Sequence, residues 1–268
     1  MTKATILDGK AIAEQLKIEL KKDIDASGLT PGLAAILIGD DPASRLYIKL
    51  KEKAAAQVGI SFHKYLCNSE CYQDIDEHEL GEMINFLNQD ASTHGIIVQL
   101  PLPEGFDQDK IVKLIDPKKD VDGFNGGAVI PPTIAAVIEL LKATGEKLSD
   151  KKTLIIGKSD IFINGLEKYL KTKSGITDIV AEKTIPNDSV DYDIIVIALG
   201  QARALQKNQV KAGAIVIDIG INQLDGQTVG DVDPSVAEVA GFLSPVPGGV
   251  GPLTVACLLR NTFELAKN

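Results

Sequence analysis

Residues 33–58 read LAAILIGDDPASRLYIKLKEKAAAQV, and this stretch decides the fold. Its first six residues are apolar without alternation. Such a run is a strand covered on both faces, as parallel strands are. Gly39-Asp40-Asp41-Pro42 then breaks the run. Asp41 suits an N-cap and Pro42 the first helical position, so the sequence predicts a helix over 43–58. A buried strand feeding a helix is the repeating unit of an α/β protein with parallel sheets. The turn between them lies at the strand's carboxyl end, where open α/β sheets place their ligands.

The same pattern continues along the chain. Residues 95–100 (GIIVQL), 153–156 (TLII), 193–198 (DIIVIA) and 214–219 (AIVIDI) read as further buried strands. Helical periodicity covers 10–24, 77–88 and 133–143, and a final helix covers 251–267. These units exceed one comfortable sheet. The break falls in FNGGAVIPP (124–132), where glycines and two prolines cluster. The expected architecture is two parallel-sheet α/β domains around a cleft, the second Rossmann-like. The first domain comprises 1–130 with 251–268 returning to it, and the second comprises 131–250.

A chain of 268 residues agrees with two domains of average size. Lys plus Arg number 28 against 37 Asp plus Glu, a formal charge of −9. That balance excludes a broad nucleic-acid-binding face, which needs basic residues. No apolar run reaches the length of a membrane span, and the first residues lack a signal-peptide layout. Hydrophobic residues are 44% with no Trp, so the cores are built from Ile, Leu, Val and Ala.

Three cysteines, Cys67, Cys71 and Cys257, are a sparse and odd set that fits free thiols in a reducing compartment, hence a cytoplasmic protein. His63, Cys67, Cys71 and His78 carry zinc-ligand chemistry, but the spacing is not that of a zinc site, and no metal is expected. Cys67 reads as a buried strand-end residue and His94 as a surface residue without a partner.

Three constellations carry candidate chemistry. Ser44, Tyr47 and Lys51 fall at i, i+3 and i+7 and share a helix face. A lysine partly removed from water has a lowered pKa and works as an acid or base near neutral pH. Spacing alone is equally compatible with a solvated face of Lys49, Lys51 and Lys53. Gln99 closes a strand, with Val98 and Leu100 beside it. In Lys119-Asp120-Val121-Asp122-Gly123-Phe124 a carboxylate is either a ligand's acceptor or a turn former. Residues 244–256, SPVPGGVGPLTVA, combine prolines, close-approach glycines and a helix start whose free amides favour anions.

Together these stretches resemble the bifunctional methylenetetrahydrofolate dehydrogenase/methenyltetrahydrofolate cyclohydrolase family. The matching pieces are DPASRLYIKLKEKAAAQVGI (41–60), GIIVQLPLP (95–103), DPKKDVDGF (116–124), AIVIDIGIN (214–222), VGDVD (229–233) and SPVPGGVGPLTVA (244–256). They lie in the family's order and span nearly the whole chain. The resemblance implies a one-carbon reaction pair that feeds purine biosynthesis. A hydride leaves 5,10-methylenetetrahydrofolate for NADP, with NAD as the alternative. Water then opens the methenyl product to 10-formyltetrahydrofolate. It implies Lys51 as general acid/base, with Tyr47 orienting it beside the pterin. Gln99 supports the lysine and Asp122 grips the pterin. Ser44, Val98, Leu100, Pro247, Gly248, Gly249, Val250, Gly251, Pro252 and Leu253 are implied to line the folate site. Gly157, Lys158, Ser159, Glu182, Lys183, Thr184, Gly200 and Ile221 are implied to hold the cofactor. The family further suggests a homodimer.

Departures gather on the cofactor side. The family's dinucleotide loop resembles Gly-x-Ser-x-x-Val-Gly-x-Pro, and here residues 157–165 read GKSDIFING. Ile163 stands where the family has glycine, and a side chain there is expected to block the approach of backbone to a pyrophosphate. Gly165 replaces a proline. Glu182 lies 25 residues after Gly157, the place of the acid that binds a free ribose hydroxyl. Lys183 beside it offers a phosphate contact instead. The family's Pro-Cys-Thr-Pro motif is reduced to Pro131-Pro132-Thr133, the segment before it is shortened, and Gln201-Ala202-Arg203 replaces a Pro-containing turn. A cyclohydrolase with a degraded nicotinamide site, or a non-catalytic folate binder, is the alternative reading. Since the implied ligands are anionic, attraction is expected to be local, from Lys51, Lys53, Lys158, Lys183 and the helix start at Pro252.

Overall fold

The structure, a computed structural model, describes residues 3–67 and 74–268. In chain order the elements are β1 (Thr5–Ile6), α1 (Gly9–Ser27), β2 (Gly32–Ile38), α2 (Pro42–Val58), β3 (Ser61–Cys67), α3 (Glu77–Gln89), β4 (Gly95–Val98) and α4 (Gln108–Lys113). There follow α5 (Pro132–Ala143), β5 (Thr153–Gly157), α6 (Asp160–Tyr169), β6 (Ile179–Glu182), β7 (Ile194–Ala198) and β8 (Ile215–Asp218). The series closes with β9 (Asn222–Leu224), β10 (Gln227–Val229), β11 (Phe242–Leu243) and α7 (Val250–Ala266). The chain divides into two α/β units.

One unit contains Glu14–Pro132 and Val255–Asn268. Its parallel sheet has the order β3-β2-β4. Every residue of β2 is buried, as its unbroken apolar run requires. Alternate residues feed two cores. Leu33, Ala35 and Leu37 pack with Ile48, Ala55, Val58, Leu259 and Phe263 on one face. Ala34, Ile36 and Ile38 pack with Leu80, Ile84, Leu87 and Ile111 on the other. Helix α2 starts as its sequence dictates: Asp41 accepts a hydrogen bond from the Ser44 backbone N–H at 2.7 Å, and Pro42 follows the cap. It ends at Gly59, whose φ of +88° is a left-handed position suited to glycine. Strand β4 stops at Val98, so Gln99 and Leu100 lie just past its end rather than within it. The sequence reading puts Cys67 at a strand end but gives that strand, β3, no range. Its residues SFHKYLC are half polar because it is a sheet edge, with His63 and Lys64 exposed.

The other unit contains the residues up to Ala13 and Thr133–Thr254. Its sheet has the order β1-β11-β8-β7-β5-β6, parallel throughout. Strand order reverses at β5, which has β6 on one side and β7 on the other. This is the topological switch point of an open α/β sheet. Its core is apolar, led by Leu154, Ile156, Ile195, Ile197, Leu205 and Val216. The pair β9–β10 forms a separate antiparallel hairpin. Sequence reading places the N-terminal residues in the first domain, but the structure groups them here. Thr5 and Ile6 pair with Phe242 and Leu243, and the Ala4 N–H donates to the Ala237 carbonyl at 2.8 Å. A two-residue strand carries no readable period, so its pairing has no sequence signature. At the other boundary, residues of α7 before Val255 fall with this unit rather than with the first domain.

Candidate active site

Helix α2 and the end of β4 bring Lys51 and Gln99 together. The Lys51 ammonium donates to Gln99 Oε1 at 3.0 Å. Gln99 is itself oriented, since its Nε2 donates to the Leu100 carbonyl at 2.8 Å. Lys49 and Lys53 are exposed whereas Lys51 is half-buried, which separates it from a solvated lysine face. Burial pushes the Lys51 pKa below its ordinary value, partly offset by the nearby Asp122 carboxylate. Burial pushes Asp122 up to about 6, with Lys51 pulling it down and Asp120 pushing it further up. Burial therefore moves the two groups toward one another in proton affinity.

The two aspartates have separate jobs. Asp120 is fully buried and accepts from the backbone N–H groups of Asp122 (3.1 Å), Gly123 (2.9 Å) and Asn125 (2.7 Å). It is the turn former, and Gly123 takes the left-handed φ of +70° that the turn needs. Asp122 is left to face Lys51. Asn125 fastens the same loop through Nδ2 to the carbonyls of Val112 (2.8 Å) and Ile115 (2.9 Å). Asn261 of α7 donates to the Val121 and Ile130 carbonyls at 2.9 and 2.8 Å. Ser44 is buried and Tyr47 half-buried, two turns and one turn before Lys51 respectively. Val98 is buried and Leu100 half-buried.

The residues 247–253 belong to the other unit up to Thr254. Gly248 has φ +106°, and its carbonyl accepts from the Lys10 N–H at 3.0 Å. A Cβ on Gly249 would stand 2.6 Å from the Pro245 carbonyl oxygen, and one on Gly9 would overlap the Gly249 backbone. The loop is thus tightly folded, which accounts for its glycines. Pro247 is exposed, Val250 and Leu253 are buried, and Gly251 and Pro252 lie between these extremes in the first turn of α7.

The remaining predicted residues gather at the carboxyl ends of the six-stranded sheet. Gly157 closes β5 and pairs in register with Ala198 at the end of β7. Lys158 and Ser159 follow, both exposed, and Ser159 Oγ caps α6 by accepting from the Phe162 N–H at 3.3 Å. Glu182 closes β6 opposite Ile156, and Glu182, Lys183 and Thr184 are exposed. Lys183 is ion-paired with Asp160 at 2.8 Å. Gly200 has φ +64°, a Cβ built on it would meet nothing within 4 Å, and Ile221 is exposed. Ile163, expected to obstruct the loop, is buried instead, with Cγ1 3.6 Å from a Cβ built on Gly157. The close-approach glycine of α6 is Gly165, where a Cβ would stand 2.7 Å from Ile134 Cδ1 of α5.

Two carboxylates here have no role in the sequence reading. Asp231 is fully buried and accepts from the N–H groups of Leu199 (2.5 Å), Gly200 (3.0 Å) and Gln201 (2.7 Å) and from Asn222 Nδ2 (2.9 Å). Asp218, at the end of β8, accepts from the N–H groups of Gly220, Asp231 and Val232. Burial pushes Asp218 up to about 6 against those hydrogen bonds. The pair fixes the loop after β7, including Gly200. Polar residues closing apolar strands (AIVIDIGIN, VGDVD) were the available signal.

His94, read as a surface residue, has a partner: its Nδ1 accepts from the Gly32 N–H at 3.0 Å and helps align β2 with the approach to β4. Cys67 is buried, and burial raises its thiol pKa. Cys71 lies outside the described residues. Among the described residues no group of three or more His, Cys, Asp or Glu is placed to hold a metal ion. Nor is any helix among them long and apolar enough to cross a membrane.

Comparison with known proteins gives a consistent result. Residues 7–122 match the model of the tetrahydrofolate dehydrogenase/cyclohydrolase catalytic domain, and residues 131–268 match that of the corresponding NAD(P)-binding domain. The bifunctional protein FolD of Nautilia profundicola is 41% identical over 98% of both chains. The methylenetetrahydrofolate dehydrogenase/cyclohydrolase structure from Campylobacter jejuni superposes with a TM-score of 0.89 at 40% identity, covering 99% of each chain. The Trypanosoma brucei enzyme, solved with NADP cofactor and an inhibitor, gives a TM-score of 0.88 at 31% identity, covering 100% of this chain and 98% of its own.

Proposed function

Because the chain belongs to the tetrahydrofolate dehydrogenase/cyclohydrolase family, we propose that it oxidises 5,10-methylenetetrahydrofolate with NADP and hydrolyses the methenyl product to 10-formyltetrahydrofolate. The observation that carries the reading is the half-buried Lys51 held on Gln99, facing an aspartate of raised pKa.

In the hydrolysis, water adds to the cationic methenyl carbon and forms a carbon–oxygen bond. Lys51, when neutral, takes a proton from that water and passes it to the ring nitrogen as the carbon–nitrogen bond breaks. The hydroxyl proton leaves to solvent as the formyl group forms. Gln99 Oε1 keeps the lysine nitrogen aimed, and Leu100 keeps Gln99 aimed. Asp122, ionised, accepts N–H groups of the pterin. Tyr47 and Ser44 share the face of α2 that leads to Lys51, and Val98 and Leu100 supply apolar surface.

The carboxyl ends of the six-stranded sheet fit a dinucleotide. They offer a capped helix start after Gly157, an open left-handed glycine after β7, and a strand-order switch between them. When bound, the nicotinamide accepts the hydride from the methylene bridge. Gly157, Lys158 and Ser159 would hold the pyrophosphate side, Glu182, Lys183 and Thr184 the adenosine ribose, and Gly200 and Ile221 the nicotinamide side. The reading also includes a homodimer in the cytoplasm, without a nucleic-acid partner; light scattering of the purified chain is expected to give twice the monomer mass, and the monomer mass would overturn the dimer.

Two assays test the function: methylenetetrahydrofolate-dependent reduction of NADP, and methenyl hydrolysis followed by absorbance. Both activities are expected. Hydrolysis without reduction by NADP or NAD overturns the dehydrogenase half, and absence of both overturns the proposal.

A further inference from the structure

Register places Glu182 directly beside the end of β5, since it pairs with Ile156. In doubly wound sheets the residue closing the second strand meets the 2′ position of the adenosine ribose. Lys183 follows it, and the first residue of α6, Asp160, reaches across to that lysine. The Lys183 ammonium stands 2.8 Å from Asp160 Oδ1 and 3.1 Å from Oδ2, and both side chains are exposed at the strand ends. An ion pair of Lys183 and Asp160 therefore stands beside Glu182 at this strand end.

NADP and NAD differ at this position by one phosphate. The phosphate carries about two negative charges, whereas the free hydroxyl of NAD is neutral and hydrogen-bonds to a carboxylate. A phosphate arriving here meets Glu182 and Asp160 as like charges, with Lys183 already engaged by Asp160. NAD meets neither obstacle. Asp160 also lies in the first turn of α6, where the helix dipole favours a carboxylate, so its position is held by local structure as well as by the ion pair.

We propose that Asp160 is a specificity-determining residue that restrains NADP binding relative to NAD by occupying Lys183. This rests on the dinucleotide reading of the sheet's carboxyl ends given above. Asp160 lies outside the glycine and serine of the loop, and it acts through charge. Replacing it by asparagine keeps the shape and the helix start, removes one repulsion and frees one cation. Both changes favour the phosphate, and neither bears on the hydroxyl.

The test uses the full chain and direct binding rather than turnover. Wild type, Asp160→Asn and the double variant Asp160→Asn/Lys183→Gln are titrated calorimetrically with NADP and, separately, with NAD. Asp160→Asn is expected to tighten NADP about fivefold and leave NAD within about twofold, the scale of one exposed charge pair. The double variant is expected to lose most of that gain, and added salt to shrink it. An unchanged NADP constant, or equal shifts for the two nucleotides, overturns the role of Asp160 while leaving the dinucleotide site in place. Wild-type protein that binds neither nucleotide overturns the site itself, and the role of Asp160 with it. A shift in melting temperature without a change in the NADP-to-NAD ratio marks Asp160 as merely structural.

Discussion

Lys49, Lys51 and Lys53 are chemically alike, and helix rotation alone makes them different. Residues two apart on a helix point about 200° apart, so Lys51 turns inward while its neighbours face solvent. The inward turn lowers its proton affinity and brings it to Gln99. Lys51→Met is expected to reduce methenyl hydrolysis at least about 100-fold with the circular-dichroism spectrum unchanged; stopped-flow absorbance checks this. The pH profile carries a second signature. Asp122 must be ionised to accept pterin N–H groups, and its pKa is about 6. Its charge is present above that value and lost below it, so kcat/KM is expected to fall as pH drops through about 6. Asp122→Asn is expected to remove that acid limb along with most of the activity, as a pH series of initial rates would show. The residue pattern made Lys51 and Asp122 candidates through their resemblance. Spacing alone did not separate Asp122 from Asp120, because both flank Val121; the resemblance singled out Asp122, and the three backbone donors on Asp120 identify it as the turn former.

At the scale of elements, loops are fixed by buried acceptors. Asp120 collects three backbone N–H groups. Leaving buried donors unpaired costs about 1–3 kcal/mol each at most. Asp120→Ala is expected to destabilise the chain by about 3 kcal/mol and to weaken folate binding through the displaced Asp122; urea denaturation and a folate-analogue titration measure the two effects. Gly9 answers to a different constraint, since a Cβ there overlaps the Gly249 backbone. Gly9→Ala is expected to cost about 1–3 kcal/mol by forcing the 248–249 loop away from the start of α1, seen as a lowered thermal midpoint. The central strands were legible because their apolar runs are long and unbroken. The edge strands were not: β3 is half polar, and β1 is two residues long. An edge strand has a solvated side, and a two-residue strand has no period, so pairing partners alone define them. The burial of Ile163 was illegible for a related reason. Sequence gives the side chain's size but not its direction, and this one is buried.

At the scale of the molecule, each unit has its own core, and the proposed function gives each its own ligand contacts. Hydrogen exchange followed by mass spectrometry is expected to report them separately. NADP is expected to protect amides around 157–160, 182–184 and 199–201, and a folate analogue those around 44–51, 98–100 and 120–125. The reverse pattern would exchange the two assignments. The charge of −9 fits this division. Both ligands are anionic, so binding relies on short-range groups such as Lys51 and Lys158 against the overall field.

The way the chain is threaded has a consequence for biosynthesis. The unit that carries Lys51 is assembled from two separated stretches, Glu14–Pro132 and Val255–Asn268. Its sheet leaves the ribosome early, yet Leu259, Phe263 and the Asn261 amide that secures Val121 leave more than a hundred residues later. Until then one face of β2 and the turn bearing Asp122 lack their partners. The six-stranded unit, complete by Thr254, is in a position to fold first. The surroundings of Lys51 are therefore completed only once α7 has been made, and a nascent chain stalled before α7 carries an exposed apolar sheet face for chaperones to shield.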